Sequence, residues 1–205
     1  MHNNILNQIA INYPWPEAQP DVTPFFENDG AFDDSHVRLM GQFLDDKTKI
    51  VIELGSWFGF STRFILDTAP NATVICVDHW KGSPNHWSSN NTPMVAKLPE
   101  LYETFMVNFW NDQHRIIPLK NDTVIGLKEI WKAGATPDLI YVDASHEYED
   151  VFVDVLLSLK FFPESRICGD DWYLSGVRDA VTNIAKQNNL KISVENGRVW
   201  CFQMD

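Results

Sequence analysis

Val51-Ile52-Glu53-Leu54-Gly55-Ser56-Trp57-Phe58-Gly59-Phe60-Ser61 passes from an apolar run, through two glycines, into a segment with helical spacing, and its reading decides the fold. The run before Gly55 has strand length and is too apolar for a strand with one wet face, which is the signature of a strand covered on both sides. Gly55 and Gly59 let the backbone turn sharply and approach a ligand where a Cβ would collide. A glycine pair can also be a plain turn-former. The rest of the chain has to decide between the two.

Working outward from this stretch, apolar runs of strand length recur at 50–54, 73–77, 115–119, 139–142, 166–168, 191–194 and 199–203. Between them, helical spacing covers 61–67, 97–110, 124–132, 147–161 and 177–188. Such alternation predicts an α/β fold with a mostly parallel, Rossmann-like sheet and helices on both faces. Glu195-Asn196-Gly197-Arg198 is a turn signal, so the last two of the seven strands form an antiparallel hairpin at one edge. In open sheets of this kind ligands sit beyond the carboxyl ends of the strands. The sequence before the first strand has a different texture. Its Tyr13-Pro14-Trp15-Pro16 start, with Pro20 and Pro24 following, predicts a proline-rich arm over 1–34, laid across a domain spanning 35–205. A short helix is expected over 35–44, capped by Asp33, Asp34 or Ser35.

The 205 residues suit one domain with a sizeable core. No apolar run approaches the roughly 20 residues that span a bilayer, and the N-terminus carries no secretory pattern, so the expected location is the cytoplasm, away from any membrane. The formal net charge of −12 opposes attraction to phosphate backbones, which makes nucleic acid a poor partner. Cys76, Cys168 and Cys201 lie apart in apolar runs and read as small buried hydrophobes, not as a disulfide or zinc set. The sequence is compatible with a homo-oligomer and does not specify one.

The strand ends carry the candidate chemistry. The second strand ends in Val77-Asp78, where an acid can accept hydrogen bonds from both hydroxyls of a ribose. A nicotinamide dinucleotide site would use the same logic, but its Gly-x-Gly-x-x-Gly spacing is absent. After the third strand, Asp122 can meet an adenine edge or cap the next helix. The fourth and fifth strands deliver Asp143, Asp170 and Asp171 to one rim. Three anions together are costly without a cation, and oxygen ligands suit a hard divalent ion such as Mg²⁺. The competing reading spends one or two of them as helix caps. His146, on the same loop as Asp143, has the imidazole chemistry of a general base near neutral pH. His79, Trp80, His86 and Trp87 form a polar-aromatic loop near the expected mouth, where the tryptophans either stack on a ligand or seal the core. Trp57 and Trp172 are placed to wall the site.

The glycine segment, the acid after the second strand and the closing hairpin together resemble class I S-adenosylmethionine-dependent methyltransferases. Glu53-Leu54-Gly55 with Gly59 and the aromatic-Ser pair Phe60-Ser61 is especially similar to the catechol O-methyltransferase group. That resemblance implies that Glu53, Gly55, Ser56, Trp57, Gly59, Ser61, Asp78, His79, Trp80, Asp122 and Asp143 surround S-adenosylmethionine. It also implies that Asp143, Asp170 and Asp171 hold Mg²⁺. Asp171 stands where catechol enzymes have an amide, and His146 where they have lysine; both features look like the macrocin and mycinamicin sugar O-methyltransferases. The run Asp143-Ala144-Ser145-His146-Glu147-Tyr148-Glu149, with Asp154 beyond it, is similar to a broad methyltransferase family. The implied reaction is metal-assisted methylation of a hydroxyl on a small molecule, with His146 removing the proton. Two other readings stay open: a metal-dependent hydroxylase on the same scaffold, as in the cephalosporin hydroxylase type, and a cofactor-binding protein without transferase activity.

Overall fold

A computed structural model describes residues 2–26 and 32–203. Its sheet has seven strands: β1 (Ile50–Leu54), β2 (Thr73–Asp78), β3 (Ile116–Lys120), β4 (Leu139–Val142), β5 (Arg166–Gly169), β6 (Lys191–Glu195) and β7 (Val199–Gln203). They lie in the order β3-β2-β1-β4-β5-β7-β6. The first five are mutually parallel, and β7 runs antiparallel to both β5 and β6. The hairpin closes on Asn196 and Gly197, both at positive φ (53° and 68°), as a tight turn between twisted strands favours. The strand order reverses between β1 and β4, so their carboxyl ends open the crevice in which α/β proteins bind ligands.

The period-two alternation of the strands splits the core into two layers. Ile52, Leu54, Ile75, Val77, Ile140 and Val142 point to one face, where they meet α7 (Thr123–Ala133), α8 (Tyr148–Phe161) and α9 (Ser175–Asn188). Val51, Val74, Cys76, Leu139 and Tyr141 point to the other, against α3 (Phe60–Thr68) and α6 (Leu101–Asn108). All three cysteines are buried free thiols. No helix among the described residues is long and apolar enough to cross a membrane.

The arm has more structure than its prolines suggest. Residues 2–12 form a helix, α1 (His2–Asn12), that seats Ile5, Leu6 and Ile9 on the core near α7. Beyond it the chain runs without regular structure but is tied down repeatedly. Trp15 Nε1 donates to the Ile116 carbonyl at 3.0 Å, and the Phe25 N–H donates to Asn108 Oδ1 at 3.0 Å. Asn108 Nδ2 in turn donates to the carbonyls of Phe25 and Phe58, both at 2.8 Å, which fastens the arm to the loop after β1. The expected helix over 35–44 is α2 (Asp34–Met40), and Asp33 is its cap. The single helix expected over 97–110 is instead divided, since Pro99 lacks an N–H and sits in a 3₁₀ turn (Leu98–Glu100) ahead of α6. The loop after β2 contains two short helices, α4 (Pro84–Trp87) and α5 (Thr92–Lys97), each with a polar cap and a proline in its first turn.

Asp154, only 2% exposed on α8, accepts a 2.6 Å bond from Thr123 Oγ1 at the start of α7 and so locks the two helices together. Burial pushes its pKa up to about 7, against the opposing effect of the Thr123 bond. The folded protein therefore holds this proton more tightly than the unfolded chain. The resulting stabilisation is complete below the ordinary value of 3.8 and is lost as pH rises toward 7. Asp154→Asn removes the titration while keeping an acceptor for Thr123. Relative to the parent, it should gain about 1–3 kcal/mol in urea unfolding between about pH 4 and about pH 8. A constant difference across that range would locate the titration elsewhere.

Candidate active site

The loop after β1 is shaped by the protein as much as by any ligand. Gly55 has φ +87°, and its N–H donates to the Val77 carbonyl at 2.9 Å. A Cβ added there would lie 2.0 Å from the Asp143 carbonyl oxygen, so the glycine is required by the close passage of the chain leaving β4. At Gly59, φ +94°, a Cβ would meet the Phe109 ring at 2.1 Å. The sharp turns expected from sequence are present. A side chain at either glycine would collide with the chain itself.

Glu53 is fully buried beneath this loop and accepts from Ser61 Oγ at 2.6 Å and from Thr62 Oγ1. Ser56, also buried, lies beside the same carboxyl group. Burial raises the Glu53 pKa, opposed by these hydroxyls. Glu53 and Ser61, both expected to line the cofactor, are thus turned to each other, and they brace the glycine loop from below.

Asp78 joins the loops after β1 and β2. Its Oδ2 accepts from the Trp57 N–H at 2.9 Å and its Oδ1 from the Trp80 N–H at 2.6 Å. Both tryptophans adopt left-handed backbone conformations, φ 50° and 48°, a costly state for a bulky residue that the shared carboxylate helps to hold. A carboxylate has about four lone-pair positions, so Asp78 keeps acceptor capacity for ligand hydroxyls. The Trp80 ring, expected at the cofactor, instead packs in the core against Tyr102 and Phe105 and donates from Nε1 to the Trp57 carbonyl at 2.9 Å. His79 is part-exposed, and its Nδ1 accepts from the Lys81 N–H at 3.0 Å. The Trp57 ring stays at the mouth, 4.1 Å from His86 between ring centres. Trp87 is half exposed and donates to the Lys81 carbonyl. Asp122 holds the N-cap position of α7, but its side chain makes no cap bond and remains at the surface.

Asp143, Asp170 and Asp171 do converge: one carboxylate oxygen from each lies within 4.8 Å of the others. With Ser145 and Trp200 they line a narrow cleft. A wider recess of about 420 Å³ between α9 and β6, lined by Thr182, Lys186, Leu190 and Ile192, lacks any such set of groups. None of the three acids caps a helix, since α9 begins after Leu174. Asp171 sits in a left-handed conformation, φ 60°, at the turn leaving β5. Burial, then the charges of Asp170 and Asp171, push the Asp143 pKa well up. Burial also raises that of Asp171, but its bonds to His146 and Tyr173 outweigh this and leave it lowered. His146 Nε2 lies 2.7 Å from Asp171 Oδ2, and that bond raises the imidazole pKa.

Two residues at this cluster escaped the sequence reading. His36 of α2 is fully buried, with Nε2 2.9 Å from Asp170 Oδ2. Arg198, from the β6–β7 turn, places Nε 3.7 Å from Asp170 Oδ1 and Nη1 3.9 Å from Asp33 Oδ2. Asp33-x-x-His36 was legible as a helix start, with the His36 side chain reaching back to the cap. That the other ring nitrogen meets an aspartate over 130 positions later depends on tertiary packing alone.

A family model described as "Methyltransferase domain" matches residues 52–172, more than half of the chain, and the chain belongs to that family. No curated protein matches. Among solved structures, the chain is similar to the precorrin 8W decarboxylase of Methanobacterium thermoautotrophicum, with TM-score 0.58 and 12% identity over 88% of this chain and 98% of that one. It is also similar to the precorrin-6y C5,15-methyltransferase of Geobacter metallireducens, with TM-score 0.55 and 11% identity over 92% and 97% of the two chains. An O-methyltransferase from Bacillus cereus, solved in complex with SAH, gives TM-score 0.51 and 17% identity over 98% and 90%. At these identities the likeness establishes the fold.

The glycine geometry predicts a graded stability effect. Gly55→Ala should destabilise by about 3 kcal/mol or more, because both the left-handed backbone and the contact with Asp143 oppose a side chain. Gly134 is a control at φ +81° with open space around it, so Gly134→Ala should cost only about 1–2 kcal/mol. Chemical denaturation of the two variants makes the comparison. Equal losses would mean that the β1 loop can move away from β4.

Proposed function

We propose that the protein is an S-adenosylmethionine-dependent O-methyltransferase acting on a hydroxyl of a small molecule, with a divalent metal bound by Asp143, Asp170 and Asp171. The observation that carries this reading is the convergence of three strand-end carboxylates beside a methyltransferase-type glycine loop, with Asp170 Oδ1 buried, 3.7 Å from Arg198 Nε and without a hydrogen-bond partner among the described residues. A buried acceptor left unpaired costs free energy that a cation would recover, and three oxygen donors suit Mg²⁺ or Mn²⁺. Family membership and the B. cereus relative, solved with SAH, support the choice of cofactor.

Bound S-adenosylmethionine supplies an electrophilic methyl group, and a bound metal supplies Lewis acidity that lowers a hydroxyl pKa. The chain does the remainder. Asp78 accepts from the ribose hydroxyls while its bonds to Trp57 and Trp80 fix the two flanking loops. Trp57 walls the mouth, and the rigid β1–β4 junction holds the glycine loop and the carboxylates in one frame. His146, exposed and 2.7 Å from Asp171, accepts the substrate proton at its imidazole.

Calorimetry tests the first part: S-adenosylhomocysteine should bind, and Asp78→Ala should weaken it by about 1–3 kcal/mol. Absence of any heat with folded protein would remove the cofactor assignment. For the second part, chelation should abolish methyl transfer reversibly, and a screen with labelled methyl donor against hydroxylated small molecules should show dependence on Mg²⁺ or Mn²⁺. Full activity without metal would leave the carboxylates as structural charges. His146→Ala should lower kcat by about 10²–10⁴-fold and remove the acidic limb of the pH–rate profile, with cofactor affinity unchanged. A retained acidic limb would reassign His146 to substrate binding.

A further inference from the structure

We propose that His36, contributed by the helix that follows the N-terminal arm, is a positioning residue of the metal centre: it holds Asp170 so that Oδ1 is presented to the ion. The inference rests on the metal reading above. Asp170 is 6% exposed, and its two oxygens have different surroundings. Oδ2 lies 2.9 Å from His36 Nε2, whereas Oδ1 is buried and accepts no hydrogen bond among the described residues, with Arg198 Nε no nearer than 3.7 Å.

The proton on His36 can be placed. Nδ1 is 3.0 Å from the Asp33 backbone N–H, which donates to it, and 3.3 Å from Asp33 Oδ1; the shorter contact makes Nδ1 the acceptor of the neutral ring and puts the hydrogen on Nε2, the nitrogen facing Asp170. The ring is held in that orientation from two sides, by the capping box at the start of α2 and by stacking on Phe32 at 4.4 Å between ring centres. Nε2 is buried and lies 2.9 Å from Asp170 Oδ2, within ion-pair distance but without the alignment of a hydrogen bond. Arg198 closes the circuit, with Nε 3.7 Å from Asp170 Oδ1, too far for a hydrogen bond, and Nη1 3.9 Å from Asp33 Oδ2. Two elements outside the core strands, α2 and the C-terminal hairpin, thus orient an acid that β5 by itself would leave free to rotate. Groups of this kind, which fix a ligand without touching the metal, typically change metal affinity by about 10–100-fold when lost.

The test compares two variants of the full chain that keep a polar side chain at this site. His36→Asn can still accept from the Asp33 N–H but is too short to reach Asp170. His36→Gln extends an amide N–H to about the place of Nε2. Mn²⁺ binding followed by electron paramagnetic resonance should weaken by about 10–100-fold in His36→Asn and stay within a few-fold of the parent in His36→Gln, with S-adenosylhomocysteine affinity unchanged in both. A purely structural role would lower the melting temperature of both variants and leave the Mn²⁺ dissociation constants, measured well below melting, equal to the parent's. That outcome overturns the proposal, as does equal weakening in both variants. Failure of the parent protein to bind Mn²⁺ would instead overturn the metal reading itself, and this inference with it.

Discussion

The contact on which the site depends is the passage of the chain leaving β4 directly over Gly55. The Asp143 N–H donates to the Leu54 carbonyl at 2.8 Å, and Gly55 donates to Val77, so the ends of three adjacent strands are hydrogen-bonded into one ledge. There is no room for a Cβ at Gly55, and this fixes the distance between the glycine loop and Asp143. A cofactor lying on the loop and a cation held by the carboxylates would then be neighbours by construction. The binding of each can be separate in energy while their relative placement is set by backbone geometry.

Around that ledge the protein concentrates conformations that are costly in isolation. Trp57, Trp80 and Asp171 have left-handed backbones, and each sits where a strand end turns toward the crevice. Their cost is offset by specific bonds: Asp78 takes the N–H groups of both tryptophans, and the Asp171 turn is pinned where the Trp172 N–H donates to the Arg198 carbonyl at 2.8 Å. Trp200, fully buried, adds a bond from Nε1 to the Asp170 carbonyl at 3.1 Å. The C-terminal hairpin is therefore part of the site's support as well as the edge of the sheet. The arm plays the same part on the opposite side, through Asn108 to the Phe58 carbonyl and through Phe32 and His36 toward Asp170.

The electrostatics of the cluster are divided between its members. Asp171 is paired with His146 and Asp170 stands between His36 and Arg198, whereas Asp143 is pushed toward its protonated form by burial and then by its anionic neighbours. A cation entering the cleft would displace the proton favoured on Asp143 and meet two acids already flanked by fixed partners. This is the arrangement expected of a site whose geometry is set before binding.

Sequence alone determined the sheet and the end of it at which the acids gather. Ile50–Leu54, Leu139–Val142 and Val199–Gln203 coincide with the expected strands to the residue, because a buried strand is written in a local run of apolar side chains bounded by turn residues. The same locality made Asp78, Asp143, Asp170 and Asp171 legible as strand-end acids. Sequence could not show what each side chain touches. Whether Glu53 reaches a ligand or Ser61, whether Trp80 faces a mouth or Phe105, and whether Gly55 avoids a cofactor or Asp143 all depend on contacts between distant segments. His36 is the sharpest case: its Nδ1 belongs to a local capping motif that can be read from four residues, while its Nε2 meets an aspartate brought there by the packing of α2 against the hairpin. Periodicity reports which face of an element is buried, and only the folded chain decides which atoms meet there.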